Sequence, residues 1–192
     1  MIRFQHLRLP LSATATAIAL LGALTLLSTP ARAGTEGFDK QMGPIFEEYA
    51  RVRAALASDS TEGVAGAAAR IEALAGKLDT SRVTGEHADH YRKLPDQIQA
   101  SARKLREAKG LEGAREAFKE LSRPLAMWVT MSEPAGLNVV YCSMAKGSWV
   151  QKGATVANPY MGAKMLRCGD IVAGADKGRP EGHGSGQGHQ QH

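Results

Sequence analysis

The chain has 192 residues, a formal net charge of +5, only 5% aromatic residues and two cysteines. One stretch carries much of that charge: Arg3, Arg8 and Arg32 lie in a leader-like segment that holds no acid, so its removal lowers the net charge to about +2. So small a surplus, well mixed with acids, argues against nucleic acid, and the shortage of aromatics argues against a base-stacking surface.

The leader comes first. Arg3, His6 and Arg8 form a basic region, Leu11 to Leu27 is apolar, and Ala31-Arg32-Ala33 is a small-x-small cleavage site. Residues 1–33 therefore read as a signal peptide, with the mature chain starting at Gly34. The expected location is the periplasm, a compartment that permits disulfides, with no membrane attachment after cleavage. Residues 34–172 form the expected domain, long enough for one packed core.

Four amphipathic helices follow in chain order. Phe38, Met42, Ile45, Tyr49, Val52 and Leu56 repeat at intervals of four and three, which places them on one helical stripe. Asp59 reads as the N-cap of a second helix, with Glu62 completing a capping box and Val64, Ala68, Ile71, Leu74 and Leu78 facing inward. The third spans about Glu86 to Ala108, with Tyr91, Leu94, Ile98, Ala102 and Leu105 inward and Pro95 as a kink or break. The fourth carries Ala114, Phe118, Leu121, Leu125 and Trp128, with Pro124 a second kink. Four such stripes joined by short connections predict an all-α antiparallel four-helix bundle.

After Met131 the pattern changes. Leu137 to Tyr141 reads as a short extended run, and Cys142 to Val172 as an irregular segment containing side chains that need to pack. Residues 173–192 are rich in Gly, Ser, Gln and His and read as a disordered tail.

The chemistry concentrates in the irregular segment. Cys142 opens Cys142-Ser143-Met144, and Cys168 closes Met165-Leu166-Arg167-Cys168. Thiolate and thioether donors select soft ions such as Cu(I). The alternative is a Cys142–Cys168 disulfide, the default for an even cysteine count in an exported chain. Tail residues His183, His189 and His192 would serve as auxiliary collectors of metal. His87 and His90 lie three apart at a helix start, where a solvated pair is the simpler reading. No nucleophile elbow, phosphate-cradling loop or His-Glu-x-x-His is present, which points away from an enzyme.

The series Tyr141-Cys142-Ser143-Met144-Ala145, Trp149-Val150-Gln151, Asn158-Pro159-Tyr160, Gly162, Met165-Leu166 and Cys168-Gly169 resembles a bacterial periplasmic domain of unknown function. That domain occurs alone as an exported protein and fused to adaptor subunits of heavy-metal (copper/silver class) efflux systems. Ala114-Arg115, Ala117-Phe118, Leu121-Ser122 and Leu125 resemble its last helix. Ser143 stands where the family usually has proline, Tyr141 where it often has histidine, and Met161 where it tends to an aromatic residue.

The resemblance implies a metal role, with an efflux adaptor subunit as partner. The reading for copper is then a non-catalytic protein for metal buffering or delivery, with Cys142, Met144, Met165 and Cys168 as ligands. The competing reading is an interaction module stapled by Cys142–Cys168, with Trp149, Tyr160 and Met161 forming a partner surface. A third is a redox switch in which forming the bridge releases the metal.

Overall fold

The structure is a computed structural model that describes residues 34–178. The signal segment and His183, His189 and His192 lie outside the described residues. Among the described residues, no helix is long and apolar enough to cross a membrane.

Helix α1 runs Glu36–Ala57, α2 Val64–Ala75, α3 Ala88–Glu107 and α4 Gly110–Ser132. The stripe of α1 is buried as its spacing requires, and so are those of α3 and α4. Each large apolar side chain so buried contributes about 2–3 kcal/mol. Successive helices pack in pairs, α1 on α2, α2 on α3 and α3 on α4. Both α3 and α4 continue through their internal prolines, Pro95 and Pro124, as single helices, so neither divides in two.

The second helix starts later than its expected Asp59 cap. Asp59 lies at φ 56° and Gly63, at φ 73°, is the residue preceding Val64. The Asp59 carboxylate is engaged elsewhere: Oδ1 accepts from Arg115 Nη2 at 2.5 Å and Oδ2 from the Ala163 amide at 3.0 Å. A guanidinium on another helix is a stronger partner for a carboxylate than a free helix-end amide.

The C-terminal segment overturns the all-α expectation. Strand β1 (Leu137–Cys142) lies between β2 (Gly147–Lys152) and β3 (Asp170–Gly174), antiparallel to both. The sheet packs on α4. Val139, Val140, Trp149 and Val150 enter the same hydrophobic core as the helices. Strand β3 carries order past the expected boundary at residue 172. Beyond it, the Asp176 amide donates to Asn138 Oδ1 at 2.8 Å and Asn138 Nδ2 donates to Asp176 Oδ2 at 2.8 Å.

A buried polar cluster ties the sheet to the helices. Tyr49 Oη, on α1, accepts the Val150 amide at 3.0 Å and lies 2.7 Å from Ser122 Oγ on α4. Tyr160 Oη donates to the Ser148 carbonyl and lies 3.1 Å from Ser122 Oγ. Burial pushes the Tyr49 and Tyr160 phenols far above their ordinary range, so both stay neutral hydrogen-bonding groups. Trp149 is fully buried and Tyr160 is only 6% exposed. These two rings are core, which removes the partner surface expected of them.

Candidate functional site

Cys142 is the last residue of β1, opposite Gly147 of β2. Cys168 sits just before β3, after a single 3-10 turn at Gly162–Met165. The sheet and this turn bring the two Sγ atoms to 2.6 Å. That is about half an ångström beyond a disulfide bond and well inside the separation of unbonded thiols. Cys142 is buried and Cys168 is half-buried.

The loop that delivers Cys168 is held from several sides. Asn158 Oδ1 accepts the amides of Tyr160 at 2.8 Å and Met161 at 3.1 Å, while its Nδ2 donates to the Cys168 carbonyl at 2.7 Å. Arg115 Nε donates to the Pro159 carbonyl at 2.9 Å, Arg53 to that of Ala157 at 3.2 Å and Arg167 to that of Val156 at 2.6 Å. Gly169 has φ +144° and passes so close to the sheet that a Cβ would lie 2.7 Å from the Trp149 ring and 2.9 Å from Val140 Cγ1. Only glycine lets the chain turn there and leave Cys168 facing Cys142.

In the reduced state the two thiols are unequal. Burial opposes ionisation of Cys142. The hydrogen bond from the Cys168 thiol, the Ala145 and Met144 amides and the Asn158 side chain outweigh it, holding Cys142 below the ordinary thiol range. The thiol of Cys168 is pushed up, first because it is the donor to Cys142, then by burial and by the Cys142 charge. The two thiols titrate as a pair, which gives up one proton more readily than an ordinary thiol and the second less readily.

The methionines do not join the pair equally. Met144 lies in the β1–β2 turn and is 65% exposed. Met165 ends the 3-10 turn, half-buried, with its carbonyl accepting the Cys168 amide at 3.0 Å. Among the described residues, no group of three or more His, Cys, Asp or Glu side chains converges as a metal site. His87 and His90 sit at the start of α3 with ring centroids 6.3 Å apart.

Residues 45–135 match the model of a family described as a protein of unknown function (DUF3347). The match spans most of the helical region and ends just before β1, so the cysteine segment lies beyond it. No curated protein and no solved structure matches the chain.

The sequence reading missed three residues that shape the site. Asn158 buttresses the Cys168 loop, and the Asn-Pro-Tyr string was its only signal. Arg115 and Asp59 clamp the 3-10 turn across 104 residues of sequence, a pairing that no local pattern announces.

Proposed function

We propose that the protein is an exported, non-catalytic binding module built around a redox-active sulfur pair. Oxidised, Cys142 and Cys168 staple the sheet; reduced, they offer a soft-donor pair to Cu(I). The observation that carries this reading is the 2.6 Å approach of two sulfurs from separate elements. Closing the bond removes two protons and two electrons, which a thiol oxidant of the exported compartment takes up. In this reading the leader directs the chain to the periplasm, and the four helices form an antiparallel bundle that presents the sheet.

The closed pair leaves no room for an ion. Two thiolates on one tetrahedral ion stand about 3.8 Å apart at ordinary metal–sulfur bond lengths, so Cys168 would have to move outward by about 1 Å. Its half-exposed position permits that. The surroundings of Cys142 support the copper reading: the Cys168 thiol, the Ala145 amide, which donates to Cys142 Sγ at 3.5 Å, the Met144 amide and Asn158 favour the thiolate, the form a soft metal requires. Met144, exposed beside the pair, and Met165, on the Cys168 turn, are the thioethers able to complete the set. The resemblance to efflux-linked domains makes a metal-efflux adaptor subunit the proposed recipient, with His183, His189 and His192 as collectors.

The test is a native mass spectrum of the chain isolated from the periplasm, then repeated after anaerobic reduction and addition of Cu(I) with a competing chelator. A mass lighter by two hydrogens on isolation, and one copper held after reduction, is the expected result. That copper is lost on Cys142→Ser and weakened by Met144→Leu with Met165→Leu. Failure to hold copper after reduction leaves a permanent staple and overturns the metal half of the reading. Two free thiols on isolation overturn the other half.

A further inference from the structure

A cleft of about 300 Å³ lies between α4 and the β1–β2 hairpin, lined chiefly by Lys119 and Arg123 from the helix and by Tyr141, Lys146 and Ser148 from the hairpin. Three cations face it. Lys119 is held by Glu116 at 2.7 Å, whereas neither Arg123 nor Lys146 makes an ion pair with any described carboxylate. The nearest other acid on the strands, Asp170, pairs with Tyr141 from the β3 side of the sheet.

The arrangement concentrates positive charge at one place. Lys119 and Arg123 are four residues apart on one face of α4, where like charges destabilise a helix by a few tenths of a kcal/mol. Lys146 adds a third positive charge from across the cleft, held at φ 49°, a left-handed conformation uncommon for a side chain of this size. Gly147 lets the hairpin pack closely against α4 beside the cleft: a Cβ there would lie 2.9 Å from the Tyr160 ring and 3.3 Å from Lys119 Cγ. The Lys119 stem lies over Tyr160, with Nζ 5.6 Å from the ring centre, so its ammonium is aimed rather than free.

We propose that this cleft binds an oxyanion of the carboxylate or phosphate type. Arg123 supplies the planar fork that matches two oxygens of such a group, and Lys119 and Lys146 supply point charges on either side. Tyr141, 40% exposed, walls the cleft, and Ser148 adds a hydroxyl. Tyr141 immediately precedes Cys142, and Gly147 pairs with Cys142 across the hairpin, so the cleft adjoins the hairpin end that carries Cys142. The inference does not depend on copper. The ligand is either a small free anion or an acidic side chain of a partner.

An amide NMR titration of the mature chain in ~0.15 M salt, which screens loose surface attraction, tests it with two probes. Inorganic phosphate and a tetraglutamate peptide are added separately, to wild type and to the double variant Arg123→Gln/Lys146→Gln. Both substitutions are on exposed side chains and should leave the melting temperature unchanged. The expected result is saturable movement of the Tyr141, Lys146, Gly147 and Ser148 amides, weakened at least tenfold in the double variant and unaffected by Arg51→Gln on α1. Peptide binding at least tenfold tighter than phosphate assigns the site to an acidic partner, and the reverse assigns it to a free anion. No saturable movement with either probe, or equal binding by the double variant, overturns the proposal.

Discussion

If Cys142 and Cys168 close into the proposed bridge, its reduction should destabilise the protein by about 3.5 kcal/mol. The two residues are 26 apart in sequence, and closing a loop of that length removes about 12 cal/mol/K from the unfolded chain. The geometry adds little opposing strain, because β1, the 3-10 turn and the Asn158 contacts bring the sulfurs together without the bond. For a chain of this size each kcal/mol shifts the midpoint by about 2–4 °C, so the melting temperature should fall by about 7–14 °C. The assay is urea unfolding at pH 7 of one preparation, with and without a phosphine reductant, and with Cys168→Ser as a bond-free reference. Cys168 is the residue to replace because it is only half-buried, whereas a polar group at Cys142 would add its own burial cost. The reduced wild type and the variant should coincide, and both should show a larger urea slope than the oxidised protein, whose unfolded state stays looped. Equal midpoints with and without reductant would refute the staple.

Other outcomes follow from the same geometry. Gly162→Ala should cost about 2–4 kcal/mol, because Gly162 has φ +56° and a Cβ would lie 1.9 Å from Asp59 Oδ1; a thermal melt within 1 °C of wild type would contradict the clamp. Asn158→Ala removes two acceptor contacts and one donor contact and should cost about 2–4 kcal/mol, with slower re-formation of the bridge after reduction. Asn158→Asp, which keeps the acceptors, should cost less in folding but lose the hold on the Cys168 carbonyl. Thiolate absorbance of the reduced protein should rise in two steps, the first below and the second above the ordinary cysteine range, and in Cys168→Ser the single step should show whether the amides alone depress Cys142. The Asp59 carboxyl is held below its ordinary range, first by the Arg115 hydrogen bond. Its contribution to stability is therefore present above the unfolded carboxyl value and is lost as pH falls through the folded one. Asp59→Asn should flatten that part of the acid unfolding curve.

The helices were legible because each stripe is a local period. Phe38 through Leu56, Tyr91 through Leu105 and Ala114 through Trp128 repeat at helical intervals, and each of these faces is buried. Of the two outcomes that Pro95 allows, a break is ruled out, because α3 runs through it as one helix, as α4 does through Pro124. Asp59 misled: its spacing to Glu62 fits a cap, but Arg115 takes its carboxylate from 56 residues away.

By itself the sequence determined the apolar stripes, the cysteine count and the soft-donor residues, all of which follow from composition and short-range spacing. Only the tertiary structure decided that Trp149 and Tyr160 are core, that the C-terminal segment is a sheet, and that the two sulfurs meet while Met144 stays exposed. Strand β1 pairs with a strand that starts at Asp170, 28 positions after β1 ends at Cys142, and such long-range pairing leaves no period in the sequence. The approach of Cys142 and Cys168 depends on that register, on the left-handed glycines Gly162 and Gly169 and on clamps from Arg115 and Asn158. These are interactions between distant residues, which become definite only once the chain has folded.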